Sequence, residues 1–375
     1  MSVQVSYKKQ TVFFVILIIT TFLLAEGIVR TFDPTTSCQF VENELFDKYD
    51  IFEKQDICFE YTTIGVDFSS SIRLLEPNQS GKYLNINSDG FRGKEFNFQP
   101  DDYKIFVLGG STTFGFISST DDFSIPAILE KKLQNENLNV KVINAGIPGA
   151  HSRSELYYLE NYILKYSPDM IIMYDGINES ENKHFTYEEF NENNYFVNHN
   201  RESIGGSKTG ILTFFAKIDC KSCMGVVQFI KSFTKTTEFS PPKYQETEEE
   251  KDPYLIRAER LENSWSRVCS LGFDNEFKTV HILQPTIGVN DRILSDSEKL
   301  VDFKDSTQFL KTLNLNKTKL QHCDEIWDLR NTFDHKYDGV TLFFDPVHLD
   351  DIGNEIIADA IHKKLLPVVM DDIQK

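Results

Sequence analysis

Basic residues are scarce in this chain. It has 39 Lys and Arg against 57 Asp and Glu among 375 residues, which gives a formal net charge of −18. Nucleic-acid binding needs a basic face, so this balance argues against DNA and RNA as partners. The length has room for one large domain or two ordinary ones, and the 40% hydrophobic share is enough for a packed core.

Several familiar motifs are also missing. The glycine-rich run GGSTTFG at residues 109–115 lacks the lysine of a P-loop and the spacing of a Rossmann fingerprint, so phosphate binding is not expected there. The CxxC of Cys220 and Cys223 has no second CxxC or paired histidines to complete a zinc site. No internal repeat is visible. The six cysteines are an even number, which permits disulfides in an exported chain, and a Cys38–Cys58 bond is one candidate.

An apolar segment lies near the N-terminus. After Lys8 and Lys9, residues 11–25 read TVFFVILIITTFLLA without a charge, and the apolar character extends to Val29. A membrane span needs about 20 apolar residues, whereas the core of a cleaved signal peptide has about 7–15. We predict a membrane anchor over residues 1–30, with the C-terminal part outside the cell membrane. Cleavage is the alternative and would give a secreted protein.

Apolar runs alternate with amphipathic stretches from residue 103 onward. They predict strands at 104–108, 140–144, 170–174, 279–285 and 340–344, and helices at 124–134, 154–166, 257–272 and 354–366. Apolar strands joined by helices indicate a parallel sheet covered on both faces. The polar residues 181–252 interrupt this pattern and predict an insertion. We therefore expect a membrane-proximal extension over 31–100 and an α/β domain over 101–370.

Polar residues and glycines collect where these strands end. Ser111 follows the first predicted strand, Gly146 the second and Asn178 the third. Asp345 and His348 follow the last. The carboxyl ends of parallel strands meet at one edge of a sheet, where ligands bind. A serine, a histidine base, an orienting carboxylate and oxyanion donors are the parts of a serine hydrolase.

Each of these residues alone has a more common structural role. Ser111 could be a helix N-cap, and Asp345 could cap the last helix. Gly146 and Asn178 are typical turn residues. Their joint occurrence at the strand ends favours catalysis. His151, just beyond the Gly146 turn, is interpreted as a loop histidine, with substrate contact as the alternative.

The four blocks GGSTTFG, NAGIPG, DGINES and DPVHL occur in this order within residues 85–370. Together they resemble those of the SGNH hydrolases, a branch of the GDSL lipase/esterase superfamily. The resemblance implies a three-layer α/β/α sandwich with a mainly parallel sheet, of SGNH or flavodoxin-like type. Two positions differ from the family pattern, because Gly110 and Glu179 stand where the family has the aspartates of GDS and GxND. The chain also lacks the GxSxG elbow of α/β-hydrolases at Ser111.

The resemblance implies a role for each residue. Ser111 is similar to the family's nucleophile and His348 to its base, with Asp345 as the orienting carboxylate. The N–H groups of Ser111 and Gly146, with the side chain of Asn178, would form the oxyanion hole. This chemistry implies no metal and no organic cofactor.

The function that follows is a membrane-anchored, exported serine esterase or acylhydrolase. Its substrate would be a carboxylic ester, either an O-acetyl group of a surface glycan or a lipid ester. An O-acyltransferase acting on a surface glycan is the alternative, and a catalytically inactive binding module is a weaker one. The 181–252 insertion is the candidate for setting specificity. The oligomeric state is left open.

Overall fold

The computed structural model describes residues 6–32, 43–67, 70, 72–180, 253–301 and 304–374. These residues belong to two units. One contains the N-terminal helix α1 (Tyr7–Phe32), and the other contains the described residues from 43 to 374. The predicted insertion over 181–252 and three cysteines, Cys38, Cys220 and Cys223, lie outside the described residues.

Helix α1 is apolar along most of its length. The 22 residues from Tyr7 to Ile28 make it long and apolar enough to cross a membrane, a property that signal sequences near an N-terminus share. At about 1.5 Å per residue these residues span about 33 Å, against a hydrocarbon thickness of about 30 Å. The hydroxyls of Thr11 and Thr20 donate to backbone carbonyls four residues earlier, so these polar groups are satisfied within the helix.

Residues 43–100 form short elements that pack on the α/β domain. They are a 3-10 helix (Glu44–Phe46), helix α2 (Ile51–Thr62), the antiparallel pair β1 (Val66–Asp67) and β2 (Leu74–Leu75), and the antiparallel pair β3 (Gln79–Ser80) and β4 (Asn85–Ile86). Asp50 caps α2 and forms a capping box with Glu53, which satisfies the first N–H groups of the helix. Phe46 and Tyr61 are buried in one cluster with Phe114 of the following domain. This part of the predicted extension therefore shares a hydrophobic core with the α/β domain.

A parallel sheet forms the centre of the α/β domain. Its strands are β5 (Tyr103–Gly109), β6 (Val140–Gly146), β7 (Met170–Asp175), β8 (Lys278–Leu283) and β9 (Glu325–Asp328). The order across the sheet is β6-β5-β7-β8-β9, and every neighbouring pair is parallel. The first four were predicted to within two residues. β9 was missed because its four residues, EIWD, include two acidic ones and lie at an edge of the sheet, so they do not form an apolar run.

Helices cover both faces of this sheet. They are α3 (Ser111–Phe114), α4 (Ile125–Asn135), α5 (Ser152–Tyr158), α6 (Pro253–Asn275), α7 (Lys304–Thr312) and α8 (Asp351–Ile373). Alternate residues of β5 point to opposite faces, as the period of a strand requires. Ile105 and Val107 join a core with α4 and α8, whereas Phe106 and Leu108 join a core with α5, α6 and α7. The predicted three-layer α/β/α sandwich is confirmed.

The strand predicted at 340–344 is not formed, so that prediction was wrong. The N–H groups of Leu342 and Phe343 donate to Oε1 of Glu298, at 3.1 and 3.2 Å. Glu298 is fully buried, and its Oε1 lies 2.8 Å from Nη2 of Arg292. A buried carboxylate thus accepts the hydrogen bonds that these N–H groups would donate to a neighbouring strand if 340–344 were part of a sheet.

A disulfide between Cys269 and Cys323 joins α6 to the segment before β9. His281 of β8 is fully buried beside it, with Nε2 3.0 Å from Sγ of Cys269. Burial lowers the pKa of His281 to about 3, so its imidazole is neutral in the folded protein. Cysteine spacing alone does not determine pairing, and the sequence analysis left this bond open.

Candidate active site

The serine of GGSTTFG lies at the C-terminal end of β5. The strand ends at Gly109, and α3 begins at Ser111 two residues later. Both glycines are needed because neighbouring atoms occupy the space of a side chain. A Cβ at Gly109 would lie 2.0 Å from Oγ1 of Thr113, and one at Gly110 would lie 2.1 Å from Nδ2 of Asn178. The turn therefore brings the Asn178 amide against the residue before Ser111.

Ser111, His348 and Asp345 form one chain of hydrogen bonds. His348 Nε2 lies 2.6 Å from Ser111 Oγ, and His348 Nδ1 lies 2.5 Å from Asp345 Oδ2. Oδ1 of Asp345 accepts the N–H groups of Val347 and His348 at 2.9 and 2.8 Å. The DPVH turn thus holds the carboxylate and directs it at the imidazole. Such a chain can move a proton from the serine hydroxyl to the imidazole.

The electrostatic setting keeps Asp345 ionised. Burial by itself would raise the pKa of this carboxyl, but the His348 imidazole and the backbone N–H groups of the turn outweigh burial and hold the pKa below its usual value. The carboxylate therefore only accepts hydrogen bonds at neutral pH. This orients Nδ1–H of His348 toward Asp345 and leaves Nε2 to accept the proton of Ser111.

Asn178 lies in a 3-10 helix (Ile177–Ser180) that directly follows β7. Its Nδ2 donates to the carbonyl of Ala150 at 2.5 Å. The Ala150 carbonyl is also close to the turn at residues 109–111, since a Cβ at Gly110 would lie 3.1 Å from it. We call this turn the nucleophile turn, after the role predicted for Ser111. The ends of β5, β6 and β7 therefore meet at this amide, as expected for neighbouring parallel strands.

Gly146 lies at the end of β6, under helix α3. A Cβ here would lie 2.2 Å from the backbone N of Phe114, so the glycine allows close packing of strand and helix. Its N–H donates to Oδ1 of Asn144 at 3.1 Å. An oxyanion role for Gly146 would require this hydrogen bond to open, and it stays a prediction.

The NAGIPG block has a second glycine that the sequence analysis did not single out. Gly149 is exposed and has a φ of 79°, a left-handed conformation that favours glycine. The next residue is Ala150, whose carbonyl holds the Asn178 amide. The signal in the sequence is the Pro148-Gly149 pair, which marks a tight turn.

The structure also bears on the alternative roles of the site residues. Ser111 is the first residue of α3, whose N-cap position is Gly110, so its hydroxyl is not a cap. Asp350, rather than Asp345, caps the last helix, α8, with its side chain. His151 is buried at the N-cap position of α5.

A buried arginine, Arg92, braces the end of α3, the helix that begins at Ser111. Arg92 donates to the carbonyls of Phe114 and Gly115, at 2.8 and 2.5 Å, and to the hydroxyl of Tyr61 at 2.9 Å. Its Nε lies 2.8 Å from Oδ1 of Asp121, so the buried charge is paired. In the sequence Arg92 stands in a turn-like segment, and no pattern marks it as buried.

Three buried carboxyl groups lie behind the end of β7. Asp175 accepts the indole N–H of Trp265 at 2.7 Å, and Glu179 accepts the N–H of Ser152 at 2.6 Å. Burial, reinforced by the neighbouring carboxyl charges, raises the pKa of Asp175 to about 7 and that of Glu155 well above its usual value. Burial thus favours the protonated, uncharged forms of these carboxyl groups.

No protein-family model matches this chain. No curated protein matches it either. Similar solved structures include the acetyl xylan esterase AlAXEase, at 18% identity and a TM-score of 0.38, over 70% of this chain and 98% of that chain. A lipolytic protein of the G-D-S-L family from Desulfitobacterium hafniense DCB-2 is similar at 12% identity and a TM-score of 0.38, over 70% and 98% of the two chains. An acetylxylan esterase from Geobacillus stearothermophilus is similar at 14% identity and a TM-score of 0.38, over 70% and 93%.

The name of the second structure includes the G-D-S-L family that the sequence blocks resemble. The chemistry assigned to this chain rests on the hydrogen bonds among Ser111, His348 and Asp345.

Proposed function

We propose that this protein is a membrane-anchored, exported serine esterase that cleaves a carboxylic ester. The observation that carries the proposal is the hydrogen-bond chain from Asp345 through His348 to Ser111, with distances of 2.5 and 2.6 Å. A serine that only caps a helix and a histidine that only lies at the surface would not need to be joined to each other and to a carboxylate. The location supports the same conclusion, because active sites of open α/β sheets lie at the carboxyl ends of the strands.

The reaction is a two-step acyl transfer. His348 takes the proton of Ser111 while the serine oxygen attacks the ester carbonyl carbon, and Asp345 stabilises the resulting imidazolium. Collapse of the tetrahedral intermediate expels the alcohol, which takes the proton from His348. Water then attacks the acyl-serine, with His348 again as the base, and the carboxylic acid leaves. No step needs a metal or an organic cofactor.

The oxyanion donors proposed are the N–H group of Ser111 and the side chain of Asn178. Asn178 has two amide hydrogens, and Ala150 accepts one of them, so the second is left for the oxyanion. Gly146 remains the candidate that the sequence suggests. By analogy with subtilisin, loss of one donor costs about 2.7–4 kcal/mol of transition-state stabilisation.

The substrate class proposed is an O-acetyl group of a surface glycan or a lipid ester. Several similar structures are named for esterases of acetyl xylan or acetylated mannans, so acetyl esters are the first to test. An O-acyltransferase would use the same residues, with a sugar hydroxyl in place of water. The insertion over 181–252 is the proposed source of specificity. A folded deletion of it that leaves the substrate preference unchanged would refute that role.

Helix α1 supports membrane anchoring by its length and composition. In the proposed topology the basic pair Lys8-Lys9 stays inside and the α/β domain lies outside. Cleavage after the helix would give a secreted esterase with the same site. The molecular mass of the exported protein, measured by intact mass spectrometry, distinguishes the two forms.

The test of the proposed function uses the full chain in detergent. Hydrolysis of p-nitrophenyl acetate, butyrate and octanoate is measured together with labelling by a fluorophosphonate probe. Ser111→Ala should abolish both signals, whereas Ser80→Ala, at an exposed serine, should abolish neither. Labelling without turnover would favour the acyltransferase. A folded parent with neither signal would refute the assignment of Ser111 as a nucleophile.

A further inference from the structure

Two aromatic rings lie against the imidazole of the catalytic base. The ring of Phe344 stacks on that of His348, with centroids 5.7 Å apart and planes at 9°. The ring of Phe116 lies on His348 at 5.0 Å and is tilted by 49°. Rotation of the imidazole out of its plane would collide with these rings, and this rotation would break both of its hydrogen bonds.

Phe344 is itself held by residues from the segment before the α/β domain. The ring of Phe46 meets it edge-on at 5.8 Å and 74°, and both phenylalanines are buried. The side chain of Asn43 caps the 3-10 helix that contains Phe46, and its Nδ2 also donates to the carbonyl of Phe344 at 3.4 Å. Asn43 and Phe344 are 301 residues apart in sequence.

This support matters because, within the described residues, the loop at 340–348 pairs with no strand of the parallel sheet. Leu342 and Phe343 are held from the interior by Glu298, before the loop reaches Asp345. At Phe344 the N–H donates to the carbonyl of His348 at 3.2 Å, and further contacts come from the N-terminal side, through Asn43 and Phe46. Catalysis requires the Nε2–Oγ contact in a near-attack geometry, so a small displacement of this loop should affect the rate.

We propose that Phe344 is a positioning residue for His348 and that the segment Asn43–Phe46 holds Phe344 in place. The proposal rests on the proposed function, since it assigns how the base of that reaction is oriented. Phe344 restricts the plane of the imidazole and offers an aromatic face to the imidazolium that forms during the reaction. The segment that follows α1 in the chain is thereby part of the active-site support.

The adjacent residue provides a matched control. Phe343 is as buried as Phe344, but its ring packs on Phe333, at 5.4 Å, in the core under α4 and α8. Phe343→Leu and Phe344→Leu therefore make the same change at neighbouring positions of one loop, and only the second removes the ring on His348. Phe344→Tyr keeps the flat ring and serves as the conservative rescue.

The experiment measures kcat and KM for p-nitrophenyl acetate on the full chain in detergent, with thermal melts to establish folding. We expect Phe344→Leu to lower kcat about tenfold or more with KM within about threefold, because the loss is in alignment rather than in substrate binding. Phe344→Tyr should stay near the parent rate. Phe46→Leu should lower kcat by a smaller factor, whereas Phe52→Leu, at an exposed position of α2, should not.

A spectroscopic signal separates positioning from general loop stability. The low-field proton resonance of the His348–Asp345 hydrogen bond should weaken in Phe344→Leu and persist in Phe343→Leu. Parental kcat in Phe344→Leu would overturn the inference, as would an equal loss of kcat in folded Phe343→Leu. Activity that survives in Ser111→Ala would instead overturn the proposed function, so the two failures are distinguishable.

Discussion

The two sides of the candidate active site are supported in different ways. Ser111 lies two residues beyond a strand that is hydrogen-bonded on both sides, by β6 and β7. His348 lies in a loop whose preceding residues, Leu342 and Phe343, donate to the side chain of Glu298. Ser111 is thus placed by sheet backbone, and His348 by side chains from separate segments.

This difference indicates where each side is vulnerable. At the nucleophile turn the constraint is space, because glycines are required where other segments of the chain approach the backbone. At the histidine loop the constraint is a set of specific partners, each contributed by a distant part of the chain. Substitutions that add atoms should therefore damage the first side, and substitutions that remove partners should damage the second.

The largest effect is expected on the histidine side, from Glu298→Ala. It leaves the buried Arg292 without its ion pair and the loop N–H groups without their acceptor, so the free energy of unfolding should fall by about 3–5 kcal/mol. Urea denaturation followed by circular dichroism measures this change. Asp296→Ala removes a fully exposed carboxylate two residues away and should change little. A loss at Glu298 no larger than that at Asp296 would contradict the side-chain support of this loop.

On the nucleophile side, Gly110→Ala should lower kcat/KM by about 10²–10³-fold. The new methyl group would lie 2.1 Å from Nδ2 of Asn178 and displace this amide, a proposed oxyanion donor. Steady-state kinetics with p-nitrophenyl acetate measures the loss. Gly27→Ala makes the same change within helix α1, where alanine favours the helical conformation, and should keep the parental rate. An unchanged kcat/KM in Gly110→Ala would show that space at this turn is not limiting.

The carboxyl cluster behind β7 should make stability depend on pH. Asp175 loses its proton near 3.8 in the unfolded chain and at about 7 in the folded one. Between these values the folded chain binds more protons, so the free energy of unfolding falls as pH rises and levels off above about 7. Asp175→Asn should flatten this decline.

The measurement for this prediction is urea denaturation at pH 5.5 and 8 for parent and variant. Burial also raises the pKa of Asp350, to about 6. The decline in stability that remains in the Asp175→Asn variant is therefore the part that Asp175 does not cause. The carboxylate of the histidine loop, Asp345, behaves oppositely. Its lowered pKa gives stability that is present above its ordinary pKa of 3.8 and lost as pH falls below it. An Asp175→Asn variant whose stability keeps the parental pH dependence would contradict the contribution assigned to Asp175.

The smallest effect is expected from Tyr61→Phe, which tests how much α2 supports the nucleophile turn. It removes a hydroxyl that donates to the Ser118 carbonyl at 2.6 Å and accepts from Arg92 at 2.9 Å. The free energy of unfolding should fall by about 1 kcal/mol, with activity within a few-fold of the parent, because Arg92 keeps its other partners. Tyr162→Phe, at a half-buried tyrosine that packs on the core with α5, α6 and α7, is the control. A loss of activity as large as in Gly110→Ala would mean that the turn depends on α2 as strongly as on its glycines.

Sequence patterns predicted the layered fold and four strands of the sheet because these depend on local periodicity. A run such as KIFVL has to be buried on both faces, and the helices between such runs are amphipathic. The strand at 340–344 was predicted wrongly for the same reason, since VTLFF has the composition of a strand. Its N–H groups are bonded to Glu298, a residue that local periodicity does not connect to it.

The sequence by itself determined which chemical groups this protein contributes to the candidate site: a serine and an amide after strands, and a DPVH turn. Only the tertiary structure decided how they are held, through Arg92 at the end of α3, Glu298 and Phe46 at the histidine loop, and the space at Gly110. The physical reason is that strand and helix preferences act over a few neighbouring residues. Contacts such as Asn43 with Phe344 join positions 301 residues apart and exist only once the chain has packed.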